Sequence, residues 1–139
     1  ECAEMDLEWN RLYRQERENG EGTAQSRMDE RHAMSKAFAY YEPLGLSGLL
    51  LRVEGRVVAF TMGSPISVDT FDVHFEKAYG ELQGAYAMIN REFARRVRQR
   101  HPQVRYLNRE DDMGVEGLRK AKESYYPDLM VEKYSAALA

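Results

Sequence analysis

The stretch Gly48-Leu-Leu-Leu-Arg-Val-Glu-Gly-Arg-Val-Val-Ala-Phe-Thr-Met-Gly63 decides the fold class. Two apolar runs flank Glu54-Gly55, a pair suited to a tight turn, so the spacing predicts a β-hairpin. Leu49, Leu50 and Leu51 in the first arm, and Val57, Val58, Ala59 and Phe60 in the second, are apolar without alternation. Strands apolar on both sides belong in a sheet with helices over both faces.

Beyond a loop on Ser64-Pro65-Ile66, the segment Thr70 to Lys77 alternates. Its period predicts a third strand with Phe71, Val73 and Phe75 on one face and Asp72, His74 and Glu76 on the other. Ala85, Met88, Ile89, Phe93 and Val97 then recur at helical spacing and predict a helix from Gly84 to Arg100, ending near His101-Pro102. Val104 to Asn108 predicts a fourth strand and residues 114–124 a short helix. After the stop at Tyr125-Tyr126-Pro127, Leu129 to Tyr134 predicts a last strand.

On the other side of the hairpin, residues 3–18 place Met5, Trp9, Leu12 and Tyr13 on one flank of an amphipathic helix. Asn19-Gly20-Glu21-Gly22 interrupts it. A second helix follows, with Ser26 and Asp29 in a capping arrangement, an apolar stripe of Met34, Phe38 and Tyr41, and Pro43 and Gly45 as its stop. The predicted order is ααβββαβαβ, an α/β (α+β) fold with a mixed sheet flanked by helices.

The chain has 139 residues, 43% of them hydrophobic and 31% charged, which fits one globular core. Its apolar run near residues 44–51 is too short to cross a bilayer. Cys2 is the single cysteine, so no internal disulfide can form, and the first residues lack the pattern of a secretory signal. A reducing cytoplasm is the expected location. Glu rather than Met at position 1 predicts a fragment, a processed form or the ordered part of something longer. A net charge of −3 argues against coating nucleic acid or anionic lipid wholesale, while leaving room for a local basic patch.

Four constellations could carry chemistry. Asp72, His74 and Glu76 would share one strand face, where a carboxylate can orient an imidazole for acid or base work near neutral pH. The alternative is a face that simply meets water. Gly80-Glu-Leu-Gln-Gly84 joins a strand to a helix N-terminus, with Lys77 just before it, and is either an anion-binding loop or a plain connection. Arg91, Arg95, Arg96, Arg98 and Arg100, with Arg105 and Arg109 beyond, form a basic stripe that can hold phosphates or face solvent. Asn108-Arg-Glu-Asp-Asp112, followed by Gly114, Gly117, Arg119, Lys120 and Lys122, sits where a strand gives way to a helix, a common ligand position. Asp112 could equally cap that helix. No metal site is predicted, because His32, His74 and His101 are far apart in sequence and Cys2 is terminal. Nor does a Ser or Cys nucleophile with a nearby base stand out.

Six blocks occurring in order carry a resemblance: Arg56-Val-Val-Ala-Phe-Thr-Met-Gly63, His74-Phe-Glu-Lys77, Gly84-Ala-Tyr-Ala-Met-Ile-Asn-Arg-Glu-Phe-Ala94, Asn108-Arg-Glu-Asp-Asp-Met-Gly114, Gly117-Leu-Arg-Lys-Ala-Lys122 and Glu132-Lys-Tyr134. Over roughly residues 45–136 the chain resembles the phosphatidylglycerol lysyltransferase C-terminal-domain family, in particular its soluble bacterial members of unknown function. The resemblance implies an acetyltransferase-like, mostly antiparallel sheet, present in two tandem copies in whole family members. Residues 45–139 would be the second copy, residues 1–44 its connecting helices, and the first copy a packing partner. It further implies transfer of an aminoacyl group from an aminoacyl-tRNA by direct attack of an acceptor, with no covalent enzyme intermediate. Carried over by motif, His74, Glu76 and Glu110 are the candidate catalytic residues. Lys77, Arg95, Arg98, Asn108, Arg109 and Lys122 are the candidate substrate-binding residues. No cofactor is implied. The acetyltransferase loop that grips a pyrophosphate is missing from residues 77–84, which argues against acyl-coenzyme A as donor. The competing expectations are a non-catalytic binding or scaffolding half-domain and an N-acyltransferase that uses acyl-coenzyme A.

Overall fold

The computed structural model describes residues 1–12, 24–134 and 136–137. Its elements are helices α1 (Cys2–Leu12) and α2 (Ala24–Ala39), strands β1 (Ser47–Val53), β2 (Arg56–Pro65) and β3 (Thr70–Ala78), helix α3 (Ala85–Arg100), strand β4 (Tyr106–Asn108) and helix α4 (Glu116–Glu123). Tyr13 and the expected turn at Asn19 to Gly22 lie outside the described residues, as do the side chains of Leu12 and Ser26. Ser26 stands inside α2 rather than ahead of it.

One sheet runs in the order β1-β2-β3-β4. The first three strands pair antiparallel, and β4 joins β3 in parallel. The hairpin turn is Glu54-Gly55, with φ of 50° and 83°, the positive angles that a two-residue turn between twisted strands requires. Helices cover both faces, which explains why β2 is buried from Val57 to Gly63. On one face Ala85, Ile89, Phe93 and Val97 of α3 pack on Ala59, Ala78, Phe71 and Val73. On the other, Met5 of α1 and Met34 and Ala37 of α2 pack on Phe60, Met62 and Tyr79.

The expected alternation along β3 fails in the middle. Met62 pairs with Phe75 but Gly63 pairs with Val73, so the strand carries one extra residue, His74. A bulge of this kind breaks the period of two and turns the strand. Phe71 and Val73 therefore face α3, while Phe75 packs on the opposite face with the α1 and α2 core. Polar neighbours divide likewise: Asp72 lies opposite Ser64, whereas Glu76 reaches Asn90 of α3.

Leu129 to Tyr134 is not a strand. Its apolar and β-branched content matches one, but strand formation needs a neighbour to bond. Met130, Val131 and Tyr134 are left 77%, 86% and 82% exposed. The order among the described residues is thus ααβββαβα. Asp112 does not cap α4 either. Its side chain turns back to accept from the Gly114 N–H, and Val115 holds the cap position.

Candidate active site

The bulge places His74 at the centre of a polar cluster. Its Nε2 lies 2.8 Å from the Ser64 hydroxyl on β2. Its Nδ1 lies 3.3 Å from Asp72 Oδ2 and 3.3 Å from Glu110 Oε1. The backbone brings these groups together. Asp72 pairs in register with Asn108, the last residue of β4, and the chain turns sharply just beyond it at Glu110, φ 57°. The Asn108 side chain accepts from the Glu110 N–H at 3.1 Å and fixes that turn.

On the other side of the same loop, Arg109 donates to Glu76 at 2.8 Å and lies 4.3 Å from the centroid of the Tyr125 ring. Asn90 donates to the second Glu76 oxygen at 3.3 Å. The Lys122 ammonium, on α4, gathers the carbonyls of Arg109, Glu110 and Asp111, the last two at 3.1 and 2.6 Å. One lysine thereby clamps the loop carrying two of the site residues.

Burial, followed by the neighbouring Glu110 carboxylate, pushes the Asp72 carboxyl up to about 6. Burial also raises Glu76, against the opposing pull of Arg109 and Asn90. Desolvation lowers the Lys122 ammonium, and the Arg109 charge adds to that. A buried carboxylate beside an imidazole can orient the ring and balance its charge when it takes up a proton.

Of the residues expected from sequence, His74, Glu76, Asn108, Arg109, Glu110 and Lys122 gather around this loop. Lys77 does not. Its ammonium is buried on the opposite face, 2.9 Å from Asp6, 3.4 Å from Glu30 and 4.4 Å from the Trp9 ring centroid. The bulge sends it there, because beyond His74 the odd-numbered positions face α1 and α2. Arg95 also stands apart. It pairs with Glu92 at 3.1 Å and lines a groove of about 480 Å³ with Leu49 of β1, the strand at the sheet edge opposite β4. Arg98 is exposed on the same helix. The loop Gly80 to Gly84 is a tight connection in which the Ala85 N–H bonds the Leu82 carbonyl at 3.0 Å.

Sequence reading missed Ser64 and Asn90, and with Ser64 a hydroxyl beside a base. The available signal for Ser64 was Gly63, since a glycine inside a strand pattern often marks a bulge. Asn90 sits in an ordinary helical repeat and gave none. It also missed that Asp72, His74 and Glu110 bring ligand-type atoms within 4.8 Å of one another, because residues 36 positions apart meet only through the parallel β3–β4 pairing.

A mostly antiparallel sheet with helices over both faces defines this chain as acetyltransferase-like in fold. Ribosomal-protein-alanine N-acetyltransferase from Brucella melitensis biovar Abortus 2308 shares that architecture at a TM-score of 0.57, with 16% identity over 74% of this chain and 78% of that one. The chain belongs to the family described as phosphatidylglycerol lysyltransferase, C-terminal, which it matches over residues 1–137. It is similar, at 45% identity and a TM-score of 0.81, to a conserved protein of unknown function from Bacteroides thetaiotaomicron VPI-5482. That match covers 93% of this chain and 40% of the other, so the chain spans less than half of that relative's length. No curated protein matches it.

Proposed function

We propose that this chain is a group-transfer domain of the aminoacyl- or acyl-transferase kind, with an aminoacyl-tRNA as donor and His74 as its base. The observation that carries the reading is the imidazole itself, held between a hydroxyl at Nε2 and two carboxylates at Nδ1. In the transfer, an acceptor amine or hydroxyl displaces Ser64 from Nε2 and gives its proton there. Its lone pair attacks the ester carbonyl, the ester C–O bond breaks, and the departing hydroxyl takes the proton back. Asp72 and Glu110 orient the ring and stabilise its charged form between these steps. Family membership supports the transferase class.

The arginines of α3 fit the donor. Arg95 and Arg98 are exposed on its outer side and can meet backbone phosphates by charge alone. A cytoplasmic site of action follows from such a donor. The short match to a longer relative and the exposed segment Leu129 to Tyr134 support reading the chain as one half of a tandem protein.

Titration of the chain with charged tRNA at low salt tests the donor. Saturable binding that is lost on Arg95→Glu with Arg98→Glu is expected. Absence of binding at low salt would overturn it. Thermal stabilisation by millimolar coenzyme A, with none from charged tRNA, would instead select an acyl-coenzyme A donor.

A further inference from the structure

We propose that Asp72, His74 and Glu110 form a binding site for a divalent transition-metal cation of the zinc class, with His74 Nδ1 and one oxygen from each carboxylate as ligands. In a tetrahedral site with ligands about 2.0–2.1 Å from the ion, neighbouring ligand atoms stand about 3.3 Å apart. His74 Nδ1 lies 3.3 Å from Asp72 Oδ2 and 3.3 Å from Glu110 Oε1, so two edges of such a tetrahedron are already in place. Ligand-type atoms of the three residues all fall within 4.8 Å of one another, and the third edge would close by movement of the half-exposed Glu110 side chain.

Two further features point the same way. The Asp72 side chain is nine-tenths buried, and its Oδ1 has no hydrogen-bond partner among the described residues. A buried carboxylate with one oxygen unpartnered carries charge that a cation on Oδ2 would balance. Ser64, meanwhile, holds the far ring nitrogen, Nε2, at 2.8 Å. Metal-binding histidines are oriented in this way by a partner on the ring nitrogen that does not touch the metal.

The donor set selects the ion. One imidazole with two carboxylates suits zinc, cobalt or manganese, whereas calcium and magnesium favour oxygen donors throughout. Three protein ligands leave a fourth position for water. A cation on Nδ1 leaves the proton on Nε2, where it donates to Ser64. His74 is then no longer a base, so an occupied site and base catalysis exclude each other. The binding claim stands without the transferase reading, whereas this off-switch rests on it.

The test titrates the whole metal-free chain with Zn2+ by calorimetry and with Co2+ by visible absorption, in a Cys2→Ser background that removes the thiol. One equivalent per chain and the intense bands of four-coordinate Co2+ are expected. His74→Ala abolishes both. Glu110→Gln, on a half-exposed loop side chain and so safe for folding, weakens binding by more than tenfold, and Ser64→Ala weakens it about tenfold. His32→Ala and His101→Ala change nothing. Zn2+ binding that survives His74→Ala, or no binding by the starting protein, overturns the site. Neither result bears on the tRNA titration, which reads Arg95 and Arg98.

Discussion

Gly63 lies so close to Asp72 that a β-carbon at position 63 would stand 1.9 Å from the Asp72 carbonyl oxygen. That approach is the structural origin of the candidate site. It allows β3 to carry an extra residue opposite Gly63, and the extra residue is His74.

Gly63→Ala is therefore expected to cost at least about 1–3 kcal/mol, the range for overpacking a buried position, and to separate His74 from Ser64. Urea unfolding reads the first effect and the His74 ring resonances the second. Unchanged values of both would refute the bulge geometry.

Phe71 is fully buried and meets Phe93 edge-on at 5.8 Å, so Phe71→Ala should cost about 3–5 kcal/mol. His74→Ala, on a partly exposed bulge residue, should cost less than about 1 kcal/mol. Equal losses in chemical denaturation would show that the two side chains are packed alike.

Asp72 sets a pH dependence. Its carboxyl titrates at about 6 in the fold, above its ordinary 3.8, so between these values the folded chain holds the extra proton. Stability from this group is greatest below pH 3.8 and falls as pH rises toward 6. In metal-free buffer Asp72→Asn should flatten that part of the stability profile and leave the protein more stable than the parent at pH 7. A parallel profile for the two proteins would contradict the assignment.

Arg109 holds Glu76, whose side chain is only 7% exposed, while the arginine is itself a quarter exposed. Removing one partner of a buried pair leaves the other charge uncompensated, so Arg109→Ala should cost about 2–3 kcal/mol after allowing for that exposure. Glu76→Gln in the same chain should restore most of it. Additive losses in the double variant would mean that the pair carries no coupling.

Much of the architecture was legible in the sequence because it rests on local chemistry. Glu54-Gly55 marks its turn, the continuous apolar arms of the hairpin imply cover on both faces, and Ala85 to Val97 shows a clean helical period. What was not legible depends on partners distant in the chain. The bulge at His74 arises from Gly63 across the sheet, and it sent Lys77 to Asp6 and Glu30 rather than to a ligand. Leu129 to Tyr134 has strand composition but pairs with no strand among the described residues, a fact that composition does not record. The site was half legible. His74, Glu110 and Arg109 were found by motif, whereas Ser64 and Asn90 depend on pairing and packing that no spacing rule reveals.

Single-turnover loss of the aminoacyl group from charged tRNA, with a small added amine as acceptor and a chelator present, tests the role of His74 most directly. The account predicts acceleration over buffer by the parent chain and a loss of about 10²- to 10⁴-fold on His74→Gln, with tRNA binding unchanged. No acceleration, or equal rates for parent and variant, would contradict it.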